Sequence, residues 1–174
     1  LQGRDKARLE VLQQSLPGEH ELAVGDLTRA EDRQQLLTQA FAGGNIDCLI
    51  NNAGASAFGN FTALPAKELE AMIALNLTVP ILVTRAYLQQ KAGRPATVVN
   101  VGSVLGAIGF PGFGVYGATK FGLRGFTESL MREYADTDTR IAYFAPRTTA
   151  TSSNSTAANA MNAALGNAVD SPSQ

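Results

Sequence analysis

Two rhythms of apolar residues take turns along this chain. ELAVGD at 21–26, IDCLI at 46–50, ATVVNVG at 96–102 and RIAYFA at 140–145 are short, mostly apolar runs that predict strands. Between them apolar positions recur at helical spacing. Leu9, Leu12 and Leu16 line one face of a helix from Asp5 to Leu16, and Leu36, Leu37, Ala40 and Phe41 line a second. Residues 1–4 read as the end of a further strand. The punctuation agrees with this division. Pro17-Gly18 stops the first helix, Thr28-Arg29-Ala30-Glu31 predicts a capping box, and Gly43-Gly44 ends the helix it opens. Pro65 suits the start of helical patterns over 66–91, whereas Pro80 needs a first-turn position or a kink, which predicts a break near Asn76 and Leu77. Residues 104–115 are apolar and glycine-rich without a period, a loop before a helix over 115–135.

Strands that alternate with helices of these lengths predict an α/β fold, a doubly wound parallel sheet with right-handed crossovers. In such sheets ligands sit beyond the carboxyl ends of the strands. Asp26, Asn51, Ala53, Gly54 and Ser103 all fall there.

Composition changes this picture little. A chain of 174 residues fits one domain, and a net charge of −1 offers no bulk electrostatic attraction to nucleic acid. The apolar stretch at 71–83 is interrupted by Asn76, Thr78 and Pro80 and reads as too short to span a bilayer, and no charged-then-apolar leader opens the chain. The expectations are no membrane partner and cytoplasmic residence. Cys48, alone in an apolar strand, is expected to be a small core residue. His20, the only histidine, lies in the polar connection PGEHE and reads as a solvated loop residue; no residues are assigned to a metal.

The chemistry concentrates in SVLGAIGFPGFGVYGATK, residues 103–120. Tyr116 and Lys120 are four apart, which places them on one helical face. An ammonium near a phenol favours the ionised form and is expected to bring Tyr116 down from its usual value of about 10 toward the range where it exchanges a proton at cellular pH. Ser103 follows a strand and faces the same crevice. Asn76 is a polar amide among apolar neighbours, MIALNLTVPILV, and needs partners there: it either ties down the helix break or serves a site.

Asn51-Asn52-Ala53-Gly54, Asn76, Ser103 and Tyr116-Gly117-Ala118-Thr119-Lys120, in this order, resemble the short-chain dehydrogenase/reductase family, with its NNAG turn and YxxxK signature. The resemblance covers residues 1–151. It implies a Rossmann-like sheet and reversible hydride transfer between a nicotinamide cofactor and a carbonyl or secondary alcohol. By that assignment Tyr116 donates or removes the proton, Lys120 tunes the phenol and bonds the nicotinamide ribose, Ser103 donates to the substrate oxygen, and Asn76 holds a water that links Lys120 to solvent. Cofactor contacts would come from Arg4, Asp26, Leu27, Asn52, Ala53, Gly54, Tyr116, Lys120 and Thr151, with Asp26 at the adenine ring. The family's usual subunit interface implies a homodimer or homotetramer.

This chain departs from the family pattern in three places. The first strand, glycine-rich phosphate turn and first helix of the family are not among these residues, so the expected sheet is incomplete at both ends. Part of a longer protein is the favoured explanation, and a fragment kept as a non-catalytic ligand-binding or regulatory protein the alternative. A hydrolytic reading with Ser103 as nucleophile lacks a base. Second, Gly3-Arg4 stands where NAD-preferring folds carry an acid, so NADP(H) is favoured over NAD, although Asp5 is also at hand to bond a hydroxyl. Third, Arg147 replaces the glycine usual after Pro146, which puts the nicotinamide contact of Thr151 in doubt. Residues 152–174, rich in Ala, Ser, Thr and Asn, read as a substrate lid or a disordered tail, with one short helix near 155–165 capped by Asn154 or Ser155. Gly117 is expected to approach cofactor or substrate, Gly122 and Gly125 another helix, and Phe58, Phe61, Phe110 and Phe113 to line an apolar pocket.

Overall fold

A computed structural model of the chain describes residues 1–147, so Thr151 and the lid or tail at 152–174 lie outside the described residues. The chain forms two compact units, Leu1–Asp47 and the part from Cys48 onward.

In the first unit β1 (Gln2–Gly3) leads into α1 (Lys6–Ser15), β2 (Ala23–Val24) and α2 (Ala30–Ala42). β1 and β2 pair in parallel, with Gln2 opposite Ala23. The strand expected over 21–26 keeps only its centre. Asp5 caps α1 by accepting from the Arg8 amide at 3.1 Å. Of the three predicted face residues of α1, Leu9 is buried while Leu12 and Leu16 stand exposed. Gly3 makes room for Leu9: a Cβ there would lie 3.2 Å from the leucine Cδ2. The capping box is not formed. Arg29 occupies the N-cap of α2 without a side-chain bond, because Asp26 takes both the amide and the hydroxyl of Thr28, at 3.0 and 2.8 Å.

The second unit is built on a three-stranded parallel sheet in the order β3 (Cys48–Asn51), β4 (Ala96–Val101), β5 (Thr139–Phe144). Asn51 lies opposite Asn100, and Val98 opposite Ile141. Parallel pairing, the main expectation for the fold, holds in both units, with the strands divided between two sheets. β3 has no strand partner on its second edge among the described residues, and Cys48 and Ile50, alternate residues on one of its faces, are exposed. This corrects the expectation of a buried Cys48: an apolar run signals a strand but does not say which of its faces is covered.

α3 (Ala66–Ile73) and α4 (Val79–Lys91) are joined at the predicted break by a π-helical turn over Ala74–Thr78, and Pro80 occupies the first turn of α4, where its missing N–H costs nothing. The helical run from Ala66 to Lys91 is therefore continuous, and an 18-residue window within it has a mean hydropathy of 1.5, enough by length and composition alone to cross a membrane, as the core helix of a soluble protein also is. The apolar stretch at 71–83 lies within this longer helix. Val79, Val83 and Tyr87 are buried on it, and α4 lies against β3 and β4. α5 (Gly114–Glu133) packs on β5 and on the π turn, and Val98, Leu123, Val83 and Tyr87 form the core between sheet and helices. Gly122 meets Leu77 of the π turn, with 3.1 Å to an added Cβ, as close helix packing requires. Gly125 meets nothing within 4 Å, and Gly117 makes only an ordinary 3.6 Å approach to the Leu105 carbonyl.

Candidate active site

The carboxyl ends of β3 and β4 hold the site in the second unit. β3 ends at Asn51, so the NNAG turn leaves the sheet at its edge, with Asn52, Ala53 and Gly54 exposed. Asn76 fastens the residue after that turn. Its Oδ1 accepts from the Ala55 amide and its Nδ2 donates to the Ala55 carbonyl, each at 2.8 Å, and Nδ2 also reaches Thr119 Oγ1 at 3.2 Å. The buried amide is thus satisfied within the helix break and ties the residue after the turn to α5. A Cβ on Gly54 would sit 3.3 Å from Asn76 Oδ1 and 3.9 Å from Lys120 Nζ, so the turn lies beside the lysine.

Ser103 leaves β4 and caps a 3-10 turn over Val104–Gly106 by accepting from the Leu105 amide at 3.1 Å. Tyr116 and Lys120 share a face of α5, with Nζ 5.7 Å from the phenol ring centroid. Lys120 is buried and donates to the Val101 carbonyl at 2.9 Å. An ammonium has three N–H groups, so two remain for a ligand.

The electrostatics differ from expectation. Burial pushes the Tyr116 phenol above its ordinary value, and the hydrogen bond with the Ser103 side chain only partly offsets this. Burial also lowers the lysine. Desolvation, not the neighbouring ammonium, is the leading influence on the phenol.

Phe113 packs edge-on to Tyr116 at 6.1 Å and against Phe58 at 5.0 Å and Phe110 at 6.4 Å. Three of the four phenylalanines expected near the site thus stack together beside the phenol, while Phe61 is exposed. Gly112, at a φ of +80°, lets Phe58 in: a Cβ there would lie 2.2 Å from its ring.

Two residues that the sequence pattern did not single out complete the surroundings. Asn51 Nδ2 donates to Asn100 Oδ1 at 2.8 Å and to Thr84 Oγ1 at 2.9 Å, and Asn100 Nδ2 donates to Thr127 Oγ1 at 2.9 Å. This ladder joins α4, β3, β4 and α5 directly beneath the site. The signal for Asn100 was present, a fully buried amide within ATVVNV, but only the strand register supplies its partner. Tyr143, on β5, places its hydroxyl 3.4 Å from the Ser103 amide and from the Lys120 carbonyl.

Asp26, at the end of β2, is held below the usual carboxylate range by the amide and then the hydroxyl of Thr28, with smaller help from Arg4 and Arg29. Leu27 is buried and its carbonyl accepts from Arg33 at 2.7 Å. Arg4 is exposed, and Asp5 spends its carboxylate on the Arg8 amide and, at 3.4 Å, on the Arg8 guanidinium. The donor pair on Lys120 fits a ribose diol.

Residues 2–162 match the short chain dehydrogenase family. Over 148 residues the chain is 32% identical to carbonyl reductase family member 4 of Danio rerio, covering 84% of this chain and 62% of that protein. The crystal structure of a short-chain dehydrogenase from Streptomyces avermitilis superposes with a TM-score of 0.79 at 31% identity, over 86% of this chain and 56% of the other. A dehydrogenase/reductase from Sinorhizobium meliloti, 22% identical, shares the fold with a TM-score of 0.84 over 98% of this chain and 71% of its own. The chain spans about three fifths of the length of the curated relatives it matches.

Proposed function

Since the chain belongs to the short-chain dehydrogenase/reductase family, we propose that the protein is a nicotinamide-dependent oxidoreductase that interconverts a carbonyl and a secondary alcohol. The observation that carries this reading is the convergence of three groups at the end of β4. Ser103 lies close enough to Tyr116 to pull its phenol down against burial, and the Lys120 ammonium stands one helical turn along α5, 5.7 Å from the ring centroid. The cofactor supplies or accepts the hydride. In the reducing direction Ser103 Oγ donates to the substrate oxygen and orients it, and Tyr116 Oη gives its proton to that oxygen as it becomes an alkoxide. Burial keeps the proton on Oη through the neutral range, the form that reduction starts from. Lys120 directs its remaining N–H groups to the nicotinamide ribose, and the NNAG turn, fastened by Asn76, lies alongside. Arg4 favours NADPH over NADH.

Homo-oligomerisation belongs to the same proposal. Phe121 and Met131 of α5 and Leu82 of α4 are exposed, and the open space over Gly125 leaves room for a neighbouring subunit. The name of the Danio rerio relative supports a carbonyl substrate.

The test is Tyr116→Phe in the whole protein. Oxidation of NADPH by a small diketone, followed at 340 nm, should fall by a factor of ~100 or more, the scale of general acid catalysis, while NADPH binding by fluorescence stays as it was. Turnover close to that of the unmodified protein would remove Tyr116 from this role.

A further inference from the structure

Tyr143 lies on β5, outside the YxxxK and NNAG motifs, yet its phenol is threaded into the site from behind. The ring passes through a gap that exists only because two positions lack side chains. A Cβ on Gly102 would fall 2.0 Å from the Tyr143 Cζ, and one on Gly106 would fall 2.4 Å from its Oη. No side chain fits at either glycine while the ring is there, so ring and glycines form one fitted unit.

The hydroxyl at the tip meets three backbone groups, each at 3.4 Å. It accepts from the Ser103 amide and faces the carbonyls of Ser103 and Lys120, to one of which it donates. The amides on either side of Ser103 are held by backbone of the strand: Gly102 donates to the Phe144 carbonyl at 2.7 Å and Val104 to the Pro146 carbonyl at 3.4 Å. For the Ser103 amide the phenol oxygen is the partner. Burial raises the Tyr143 phenol above its ordinary value, so it stays neutral and keeps a proton to donate.

We infer that Tyr143 is a positioning residue: its hydroxyl sets the Ser103 backbone against the Lys120 carbonyl and so fixes the distance between the serine and the Tyr116–Lys120 face of α5. Ser103 and Tyr116 come from different elements, one leaving β4 and the other early in α5. Two donors to one substrate oxygen work together only if those elements keep their spacing, and a misplacement of an ångström is felt in the rate. Tyr143 bridges both elements in a single side chain. The contact rests on geometry alone, whereas its catalytic consequence rests on the oxidoreductase reading above.

Tyr143→Phe removes the hydroxyl and keeps the ring in its glycine gap. Hydrogen exchange resolved by residue should then show the Ser103 amide losing protection by about tenfold, with Gly102 and Val104 unchanged; a general loosening would move all three. In turnover of a small diketone with NADPH, kcat should fall about three- to tenfold, the worth of one neutral hydrogen bond, while the KM for NADPH holds. In a Ser103→Ala background the same substitution should add nothing further, since its path runs through the serine. Unaltered exchange at Ser103, or factors that multiply in the double variant, overturns the assignment. If the unmodified protein turns over no carbonyl, the oxidoreductase reading and the catalytic consequence fall together, and the exchange at Ser103 still decides the contact.

Discussion

Lys120 reaches past the ring of Tyr116 to the carbonyl of Val101: its Nζ lies 2.9 Å from that oxygen and 5.7 Å from the ring centroid. The lysine is thereby fixed at the carboxyl end of β4, beside the phenol ring. Burial of this pair raises the phenol and lowers the ammonium.

The Tyr116 phenol is raised from 10.0 by burial. As proton donor in carbonyl reduction it must be neutral, so the rate is expected to be level through neutral pH and to fall only as pH rises through a value above 10.0. A spectrophotometric phenolate titration comparing the protein with Tyr116→Phe checks this. A difference spectrum placing Tyr116 below its ordinary value would return the lysine to the leading role.

Replacing Lys120 separates its two costs. Lys120→Met removes a buried charge and keeps the length of the side chain, so the melting temperature is expected to hold or rise. Affinity for NADPH, measured by fluorescence titration, is expected to drop about tenfold or more, the loss of a charge-assisted hydrogen bond. Unchanged affinity would end the proposed ribose contact.

The amide ladder beneath the site is a stability element. Asn100 is fully buried, and Asn100→Ala removes one bond each from the Asn51 amide, which keeps Thr84, and the Thr127 hydroxyl, which keeps the Leu123 carbonyl. Urea unfolding should report a loss of about 1–3 kcal/mol, from two lost hydrogen bonds and the cavity together. A loss below ~0.5 kcal/mol would show that water replaces the ladder at no cost.

Asp26 governs an acid limb. Its folded-state value lies below the reference 3.8, chiefly through Thr28, so its contribution to stability is present above that reference and is lost as pH falls through the lowered value. Melting curves taken from neutral pH down through that range should therefore be flatter for Asp26→Asn. Parallel curves for the two proteins would show that the Thr28 contacts do not persist in solution.

Much of the site was legible from residue spacing. The shared face of Tyr116 and Lys120, the break at Asn76 and the placement of Ser103 after β4 come from helical period, proline chemistry and the end of an apolar run. These are local properties, fixed within a few residues of the chain. The Tyr143 hydroxyl beneath Ser103 was not legible, because it requires β5 to lie beside β4 in one register, 40 positions away in sequence.

The same distinction explains the corrections. Thr28 reads as a helix cap until Asp26, two residues earlier, competes for it, and Cys48 reads as core until the uncovered face of β3 is seen. By itself the sequence determined the alternation of strands and helices and which side chains are candidates for the chemistry, since period and residue type act locally. Only the tertiary structure decided which faces are dry, which amide meets which carbonyl, and that burial rather than the lysine's charge leads in tuning the phenol. Desolvation and partner choice depend on what the rest of the chain brings alongside.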